Sequence, residues 1–271
     1  MSEPLLITVA PNGARRGKTD HPGLPLTAAE IAQVAAACSR AGAGMIHLHV
    51  RDERGAHSLD AGQYRSAIAA IDAAVEGHML VQVTTEACGM FGVTEQMGAI
   101  RSTLPQAASF AIREFFAGDT VDPQVAEFFR WVAHKDIAAQ FILYAPAEID
   151  RLATLVAAGV IPIANPHALF VLGRHAVDQQ SEPRDLCRYV ERWPSRWPWT
   201  VCAFGRAELA VAAAAIGLGG HVRVGFENNL QDIDGNLLPG NDTRVAQVAA
   251  IATAVGRPLA DEARTRALFG H

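Results

Sequence analysis

Nearly continuous apolar segments alternate with amphipathic segments along the whole chain. Segments that are apolar throughout are typical of strands that a parallel sheet buries on both faces. We predict eight such strands, over residues 5–10, 45–50, 79–84, 108–112, 139–144, 168–172, 200–204 and 221–226.

The amphipathic segments have apolar residues at the spacing of a helix, and Thr27 and Glu30 have the spacing of a capping box. We predict helices over residues 27–42, 61–74, 94–104, 123–133, 146–158, 182–193, 206–218, 242–255 and 261–268. Strands that alternate with helices in eight pairs predict an α/β fold, a (β/α)8 TIM barrel. Because barrels of about 250 residues form one domain, we expect residues 1–271 to be a single domain.

Two histidines, His47 and His49, alternate with apolar residues in the second predicted strand. Side chains two residues apart in a strand point to the same face, so the imidazoles should lie side by side. They come near the carboxyl end of the strand, which is the end of a barrel where catalytic residues lie. Neutral imidazoles are frequent ligands of divalent metals, and the pair therefore predicts a metal site.

The end of the last predicted strand adds a carboxylate, Glu227. In a closed barrel that strand lies two positions around the ring from the strand with His47 and His49. Two histidines and one carboxylate leave coordination positions open, as in catalytic metal sites. The alternative is that the histidines form hydrogen bonds in the core and Glu227 caps the following turn.

Arg223 and Asn228 flank this carboxylate in the sequence. Arg223 is expected on the same strand face as Glu227, where it could lower the pKa of an acid, hold an anionic substrate or form a bracing ion pair. Asn228 can donate and accept hydrogen bonds but cannot act as a general base.

Five further residues are expected at the same end of the barrel. Thr84 and Thr85 end the third strand and could bind substrate oxygens, although β-branched residues are also ordinary in strands. Glu86 and Glu114 follow the third and fourth strands, and Arg15 lies in the long loop after the first strand. We expect these residues to contact the substrate.

Composition excludes several classes of partner. The formal net charge is −5 and the only lysines are Lys18 and Lys135, so no basic stripe suits nucleic acid. The longest uncharged apolar run, residues 209–218, is too short to cross a bilayer. The four cysteines show no CxxC spacing and the first residues do not resemble a signal peptide, which predicts reduced thiols and a cytoplasmic protein.

Several strings of residues resemble the β-keto acid cleavage enzyme family, whose best-known member is the 3-keto-5-aminohexanoate cleavage enzyme. The most specific are His47-Leu48-His49-Val50-Arg51-Asp52 and Gly219-Gly220-His221-Val222-Arg223-Val224-Gly225-Phe226-Glu227-Asn228. Further matches lie at residues 7–14, 24–27, 41–43, 205–209 and 239–241.

The resemblance implies a (β/α)8 barrel with one Zn²⁺, assembled as a homotetramer. It implies an acyltransferase that condenses a β-keto acid with the co-substrate acetyl-CoA, and that releases acetoacetate and a new acyl-CoA. The implied zinc ligands are His47, His49 and Glu227. Arg223 matches an arginine of the catalytic unit, and Thr84 matches a Ser/Thr that contacts substrate.

Three positions depart from the family pattern. Asn228 stands where better-known members have an Asp that helps to remove a proton, which leaves Glu86, Glu114 and Asp52 as candidate bases. Alternatively, Arg223 and the metal suffice to acidify the substrate, and water or a substrate group takes the proton. Arg15 stands where a member acting on an amino-bearing substrate has Glu, which suggests a substrate whose far end is acidic or neutral. Residues 112–114 replace small hydroxyl residues.

The sequence is also compatible with two other functions. H-x-H on an early strand also begins the metal sites of barrel hydrolases and lyases that need no CoA. Those sites require histidines after the middle strands, for which His134, His167 and His175 are available in the sequence. A zinc barrel that binds a small acid but has lost turnover with Asn228 is the remaining alternative.

Overall fold

In residues 3–118 and 120–269, which the computed structural model describes, parallel strands close into an eight-stranded barrel, and the predicted architecture is confirmed. The strands are β1 (Ile7–Val9), β2 (Met45–Leu48), β3 (Val50–Arg51), β4 (His57–Ser58), β5 (Leu80–Thr84), β6 (Ala107–Ala111), β7 (Ala138–Leu143), β8 (His167–Leu172), β9 (Trp199–Ala203) and β10 (His221–Val224). Strands β3 and β4 form a separate antiparallel hairpin, and the other strands form the barrel.

Helices cover the outside of the barrel. They are α1 (Ala28–Ala41), α2 (Ala61–Val75), α3 (Val93–Thr103), α4 (Ile112–Phe115), α5 (Pro123–His134), α6 (Ala147–Ala157), α7 (Cys187–Val190), α8 (Glu208–Gly217), α9 (Asn241–Ala254) and α10 (Glu262–Ala267). The capping box of α1 forms as expected: Glu30 donates its backbone N–H to the Thr27 hydroxyl, and the Glu30 carboxylate accepts from the Thr27 N–H.

Two layers of side chains stabilise the barrel. The layer between strands and helices is apolar and includes a cluster of buried aromatic rings, among them Phe110, Phe128, Phe129 and Phe141. The layer inside the barrel is unusually polar, and its fully buried members include Thr8, His47, Gln82, Ser109, Gln140 and Thr200. Buried polar groups require hydrogen-bond partners, so the interior specifies orientation as well as burying area.

The closure of the barrel places the first and last strands together. Strand β1 pairs with β2 on one side and with β10 on the other. The carboxyl ends of β2 and β10 are therefore two positions apart, as the sequence predicts. Residues that are separated by most of the chain meet at this end of the barrel.

Some boundaries differ from the predictions. The fourth predicted strand ends at Ala111, and Ile112 begins the short helix α4. The predicted helix over residues 182–193 is divided into two short pieces. The first is a 3₁₀ turn that begins at Pro183 and ends at Leu186, and the second is α7. The hairpin of β3 and β4 was not predicted. No helix within the described residues is long and apolar enough to cross a membrane.

Candidate active site

The two predicted histidines converge at the carboxyl end of β2. His47 lies in the strand and His49 lies directly after it, and both side chains are almost completely buried. Their Nε2 atoms are 3.2 Å apart. Burial lowers the pKa of His47 to about 3, so its ring is neutral near pH 7 and can offer a lone pair.

The other nitrogen of His47 is already engaged. The Nδ1 atom lies 2.7 Å from Oε1 of Gln82, the residue beside it on β5, and donates a hydrogen bond to that carbonyl oxygen. A histidine that donates through Nδ1 keeps its proton there and leaves Nε2 as the acceptor. The Nε2 lone pair of His47 therefore faces His49.

Glu227 approaches the histidines from the opposite side of β1. Its Oε2 atom is 3.7 Å from Nε2 of His47 and 3.5 Å from Nε2 of His49, while Arg223 Nη2 donates a hydrogen bond of 3.2 Å to Oε1. Burial by itself would raise the pKa of Glu227, but the charge of Arg223 holds that pKa well below its usual range. The group is a carboxylate at neutral pH.

The strand expected to reach Phe226 ends earlier. β10 ends at Val224, and the chain turns at Gly225, whose φ of +135° is a conformation that residues with a Cβ rarely adopt. A Cβ at Gly225 would also lie 2.6 Å from the carbonyl oxygen of Ala10. Glu227 therefore lies on a turn and not on the strand face predicted for it, yet the turn still brings it to Arg223.

Buried polar groups from separate segments hold this turn. Oε1 of Glu208 accepts from the Gly225 N–H at 3.0 Å, and Oδ1 of Asn241 accepts from the Phe226 N–H at 2.9 Å. Arg244 lies 2.9 Å from the second carboxylate oxygen of Glu208, and both side chains are buried. None of these residues was among the predicted site residues.

The donor set fits a divalent metal. In a tetrahedral zinc site with bonds of about 2.0–2.2 Å, neighbouring ligand atoms stand roughly 3.3–3.5 Å apart. The three separations of 3.2, 3.5 and 3.7 Å between the ligating atoms of His47, His49 and Glu227 are close to that value. The Oε2 atom of Glu227 is buried, and within the described part of the chain it accepts no hydrogen bond. An acceptor left in this state favours a cation at the centre of the triangle.

A cavity adjoins the triangle, and it collects four of the predicted residues. Thr84, Thr85, Glu86 and Glu114 line it beside His47, Arg223 and Glu227. The Thr84 hydroxyl oxygen accepts from the Glu86 N–H, which leaves its own proton free, whereas the Thr85 hydroxyl donates to the carbonyl oxygen of Ser109. The Oε2 atom of Glu86 lies 4.0 Å from Nε2 of His49.

Glu114 follows β6, the fourth strand of the barrel, and lies on the short helix α4 that begins directly after it. Its carboxylate accepts a hydrogen bond of 2.5 Å from Gln96, and burial raises its pKa. Asp52, the third candidate base, lies in the hairpin turn, where its carboxylate accepts from the N–H groups of Arg54 and Ala56. The structure brings Glu86 and Glu114 to the cavity and leaves Asp52 outside its lining.

Arg15 and Asn228 lie at the edges of the site. Arg15 lines a second cavity that shares Glu86 with the lining of the first, and its Nη2 atom is 3.9 Å from Oε1 of Glu86. Asn228 is fully buried and lines a neighbouring cavity with Arg206. Its side-chain oxygen and nitrogen have no hydrogen-bond partner among the residues that the structure describes.

Two residues that contact Glu86 were missed by sequence reasoning. Arg174 follows β8, lies over the ring of Phe204 at 5.4 Å and approaches Glu86 at 3.9 Å. His57, on the unpredicted hairpin, is 2.8 Å from the Glu86 carbonyl oxygen through Nε2, where it donates a hydrogen bond. Neither has a sequence signal, because each depends on a loop geometry that only the folded barrel defines.

Comparisons with known proteins agree with these features. The sequence profile of the family described as beta-keto acid cleavage enzyme matches residues 4–270. The chain belongs to the β-keto acid cleavage enzyme family. The resemblance noted in the sequence is therefore confirmed, and this is a family of enzymes.

Two curated relatives of this family member match over almost their full lengths. It is 33% identical to a 3-keto-5-aminohexanoate cleavage enzyme of Fusobacterium nucleatum, over 97% of each chain. It is 31% identical to a 3-oxoadipate:acetyl-CoA acetyltransferase of Cupriavidus necator, over 100% of this chain and 96% of that one.

A solved structure shows the same fold. It is a ternary complex of ObcA with a C4-CoA adduct and oxalate, which superposes with a TM-score of 0.74 at 17% identity. The match covers 92% of this chain and 68% of ObcA. At that identity the likeness supports the barrel architecture alone.

Proposed function

We propose that this protein is a zinc-dependent β-keto acid cleavage enzyme that converts a β-keto acid and acetyl-CoA into acetoacetate and a new acyl-CoA. The observation that supports it most is the buried triangle of His47, His49 and Glu227, whose ligating atoms all lie within 4.8 Å of one another beside a cavity. Family membership and the names of the relatives support the same reaction class.

The proposed roles follow from the contacts. His47, His49 and Glu227 would hold Zn²⁺, which when bound polarises the keto and carboxylate oxygens of the substrate and acidifies the carbon between them. Arg223 keeps Glu227 ionised through their 3.2 Å contact and brings positive charge to the floor of the cavity. The free hydroxyl proton of Thr84 can donate to a substrate oxygen.

Removal of a proton from the carbon between the keto and carboxylate groups requires a base, and the amide of Asn228 cannot accept a proton. We propose Glu86, because it is a cavity carboxylate outside the metal triangle, its Oε2 atom lies 4.0 Å from Nε2 of His49, and hydrogen bonds hold its backbone N–H and carbonyl groups. Glu114 would instead form part of the substrate-contacting wall, since Gln96 already occupies one of its oxygens. Thr85, whose hydroxyl is engaged with Ser109, would contact substrate through its methyl group.

The far end of the substrate would meet arginines. Arg15 and Arg174 each lie 3.9 Å from Oε1 of Glu86, and all three residues line the second cavity. Guanidinium groups bind carboxylates well and repel ammonium groups, so we propose a substrate whose far end is acidic or neutral.

The barrel hydrolase alternative loses support in the structure. His167, one of the histidines that such a site would need, begins β8 and therefore lies at the opposite end of the barrel from His47. His175 lies against the ring of Tyr144, at 5.1 Å between ring centroids, and belongs to neither the triangle nor the lining of the adjoining cavity. We further propose that the chain is one barrel domain that assembles as a homotetramer in the cytoplasm.

The test is a screen of β-keto acids with acetyl-CoA, in which acyl-CoA products are identified by mass and zinc is measured in the purified protein. We expect about one zinc per chain and acetoacetate together with one new acyl-CoA. Zinc-loaded protein that forms no acyl-CoA from any β-keto acid would support the turnover-deficient alternative. Hydrolysis of an amide or lactone without CoA would contradict the proposal.

A further inference from the structure

A chain of buried polar side chains leads from the metal triangle to the other end of the barrel. It begins at His47 and passes through Gln82 on β5, Gln140 on β7 and Thr200 on β9 to His167 on β8. Each of these side chains is at most 1% exposed. This hydrogen-bond chain crosses the polar interior of the barrel from the metal triangle to the floor of the barrel, which is the end where the strands begin.

The hydrogen bonds in this chain have one direction. Gln82 accepts from His47 through Oε1 and donates from Nε2 to Oε1 of Gln140 at 3.1 Å. Gln140 then donates from Nε2 to the Thr200 hydroxyl at 3.4 Å. A side-chain amide has its acceptor at one end and its donors at the other, so neither glutamine can reverse alone without placing like groups together.

The lower end of the hydrogen-bond chain is compatible with this direction. The Thr200 hydroxyl is 2.7 Å from Nε2 of His167, and a hydroxyl has only one proton to donate. If that proton goes to His167, the Thr200 oxygen can only accept from Gln140. Burial lowers the pKa of His167 to about 3, so this ring is neutral and can accept.

We propose that Gln82 and Gln140, with Thr200 as their anchor, are positioning residues that hold His47 in the tautomer with its proton on Nδ1. This inference rests on the proposed metal site, because its purpose is to aim the Nε2 lone pair of His47 at the centre of the triangle. Gln140 and Thr200 belong neither to the triangle nor to the lining of the adjoining cavity. Their effect on metal binding must therefore pass through Gln82.

The molecule offers a matched pair of substitutions to test this. Thr200→Val removes the hydroxyl that anchors the chain, and Thr8→Val removes another buried hydroxyl inside the barrel. The Thr8 hydroxyl has no hydrogen-bond partner within the described residues and is not part of the hydrogen-bond chain that runs from His47 to His167. Both changes conserve the shape of the side chain. Any difference between the two variants in zinc affinity or spectrum is therefore due to the broken hydrogen-bond chain and not to the loss of a buried hydroxyl.

The first measurement is zinc affinity by competition with a chelator, together with the visible spectrum of the Co²⁺-substituted protein. We expect Gln82→Leu to weaken zinc binding 10–100-fold, as changes behind a metal ligand commonly do. Thr200→Val and Gln140→Leu should weaken it less and change the Co²⁺ spectrum, while Thr8→Val should match the unmodified protein. Equal affinities and spectra for Thr200→Val and Thr8→Val would overturn the proposal.

The second measurement needs neither metal nor activity. Long-range ¹H–¹⁵N spectra of the metal-free protein distinguish the two tautomers of a neutral histidine. We expect His47 to carry its proton on Nδ1 in the unmodified protein and to populate both tautomers in Thr200→Val. The same single tautomer in both proteins would overturn the inference even if zinc binds. If the unmodified protein binds no zinc but shows the Nδ1 tautomer, the proposed function fails while the positioning chain stands.

Discussion

His47 and His49 come from one end of a regular strand, whereas Glu227 comes from a turn that distant segments hold in place. The histidine half needs β2 and a hydrogen bond to the neighbouring strand. The carboxylate half needs Glu208 from α8, Asn241 from α9 and a backbone contact from Glu227 N–H to Ala10. One half of the site is therefore encoded by local alternation, and the other by tertiary structure.

This difference predicts where mutations act. A change near β2 should affect the metal more than the fold, because regular strand hydrogen bonds keep the backbone in position. A change around the turn should affect the fold first and the metal as a consequence, since those contacts hold the backbone that carries Glu227.

The largest effect is expected from a ligand. His49→Ala should abolish zinc binding and turnover, because it removes one of three protein ligands, while the circular dichroism spectrum stays unchanged. Zinc content and acyl-CoA formation are the measurements. His57→Gln is the control, since its ring lies 5.3 Å from that of His49 but is not part of the triangle, and it should keep its zinc. Zinc retained by His49→Ala would remove this residue from the ligand set.

The largest effect on stability is expected from the carboxylate half. Arg244→Met leaves Glu208 buried without its 2.9 Å partner, which should lower the free energy of unfolding by about 3–5 kcal/mol. Urea denaturation measures the loss, and zinc affinity should fall with it although neither residue is a ligand. The double change Arg244→Met with Glu208→Gln should recover part of the loss. A decrease below about 1 kcal/mol would show that the turn does not depend on this pair.

A smaller effect is expected at Asn241. Asn241→Ala leaves the Phe226 N–H without an acceptor, and it also removes the 3.2 Å hydrogen bond to the Pro11 carbonyl oxygen. The expected decrease in the free energy of unfolding is about 1–3 kcal/mol. Asn236→Ala, in an exposed turn, should stay within about 0.5 kcal/mol of the unmodified protein. Equal decreases in the free energy of unfolding for the two variants would mean that the turn with Glu227 does not depend on Asn241.

The effect that is smallest near neutral pH concerns His167, at the amino-terminal end of the barrel. Because burial lowers the pKa of His167 from 6.5 to about 3, the unfolded chain binds a proton there that the folded protein does not. The stability from this group is present above about pH 6.5 and is lost as the pH falls toward 3, at up to about 1.4 kcal/mol per pH unit. His167→Gln should flatten the acid slope of urea unfolding by that amount, and an unchanged slope would contradict the prediction.

The apolar segments that predicted the strand with the histidines also predicted the barrel. Buried parallel strands have a signal in the sequence because both faces must be apolar, and β2, β5 and β10 begin within one residue of their predicted positions. Ends were less predictable. Ile112 continues an apolar run but begins the helix α4.

The site was predictable to the extent that its residues follow strands. His47, His49, Glu227 and Thr84 were found from strand ends and from the family strings, and the structure brings them together. The supports of the turn were not found. Glu208 and Asn241 lie within strings that match the family, but a string gives no partner, and their hydrogen bonds join segments that are distant in sequence.

The barrel closes where β1 pairs with both β2 and β10, and the metal triangle spans that seam. During synthesis on the ribosome, His47 and His49 leave the exit tunnel long before Glu227 is made. Until then the nascent chain has only two of the three ligands, and the supports on α9 come later still. If the triangle holds a metal as proposed, a newly made chain reaches its full affinity for the ion only after β10, the last barrel strand, has docked.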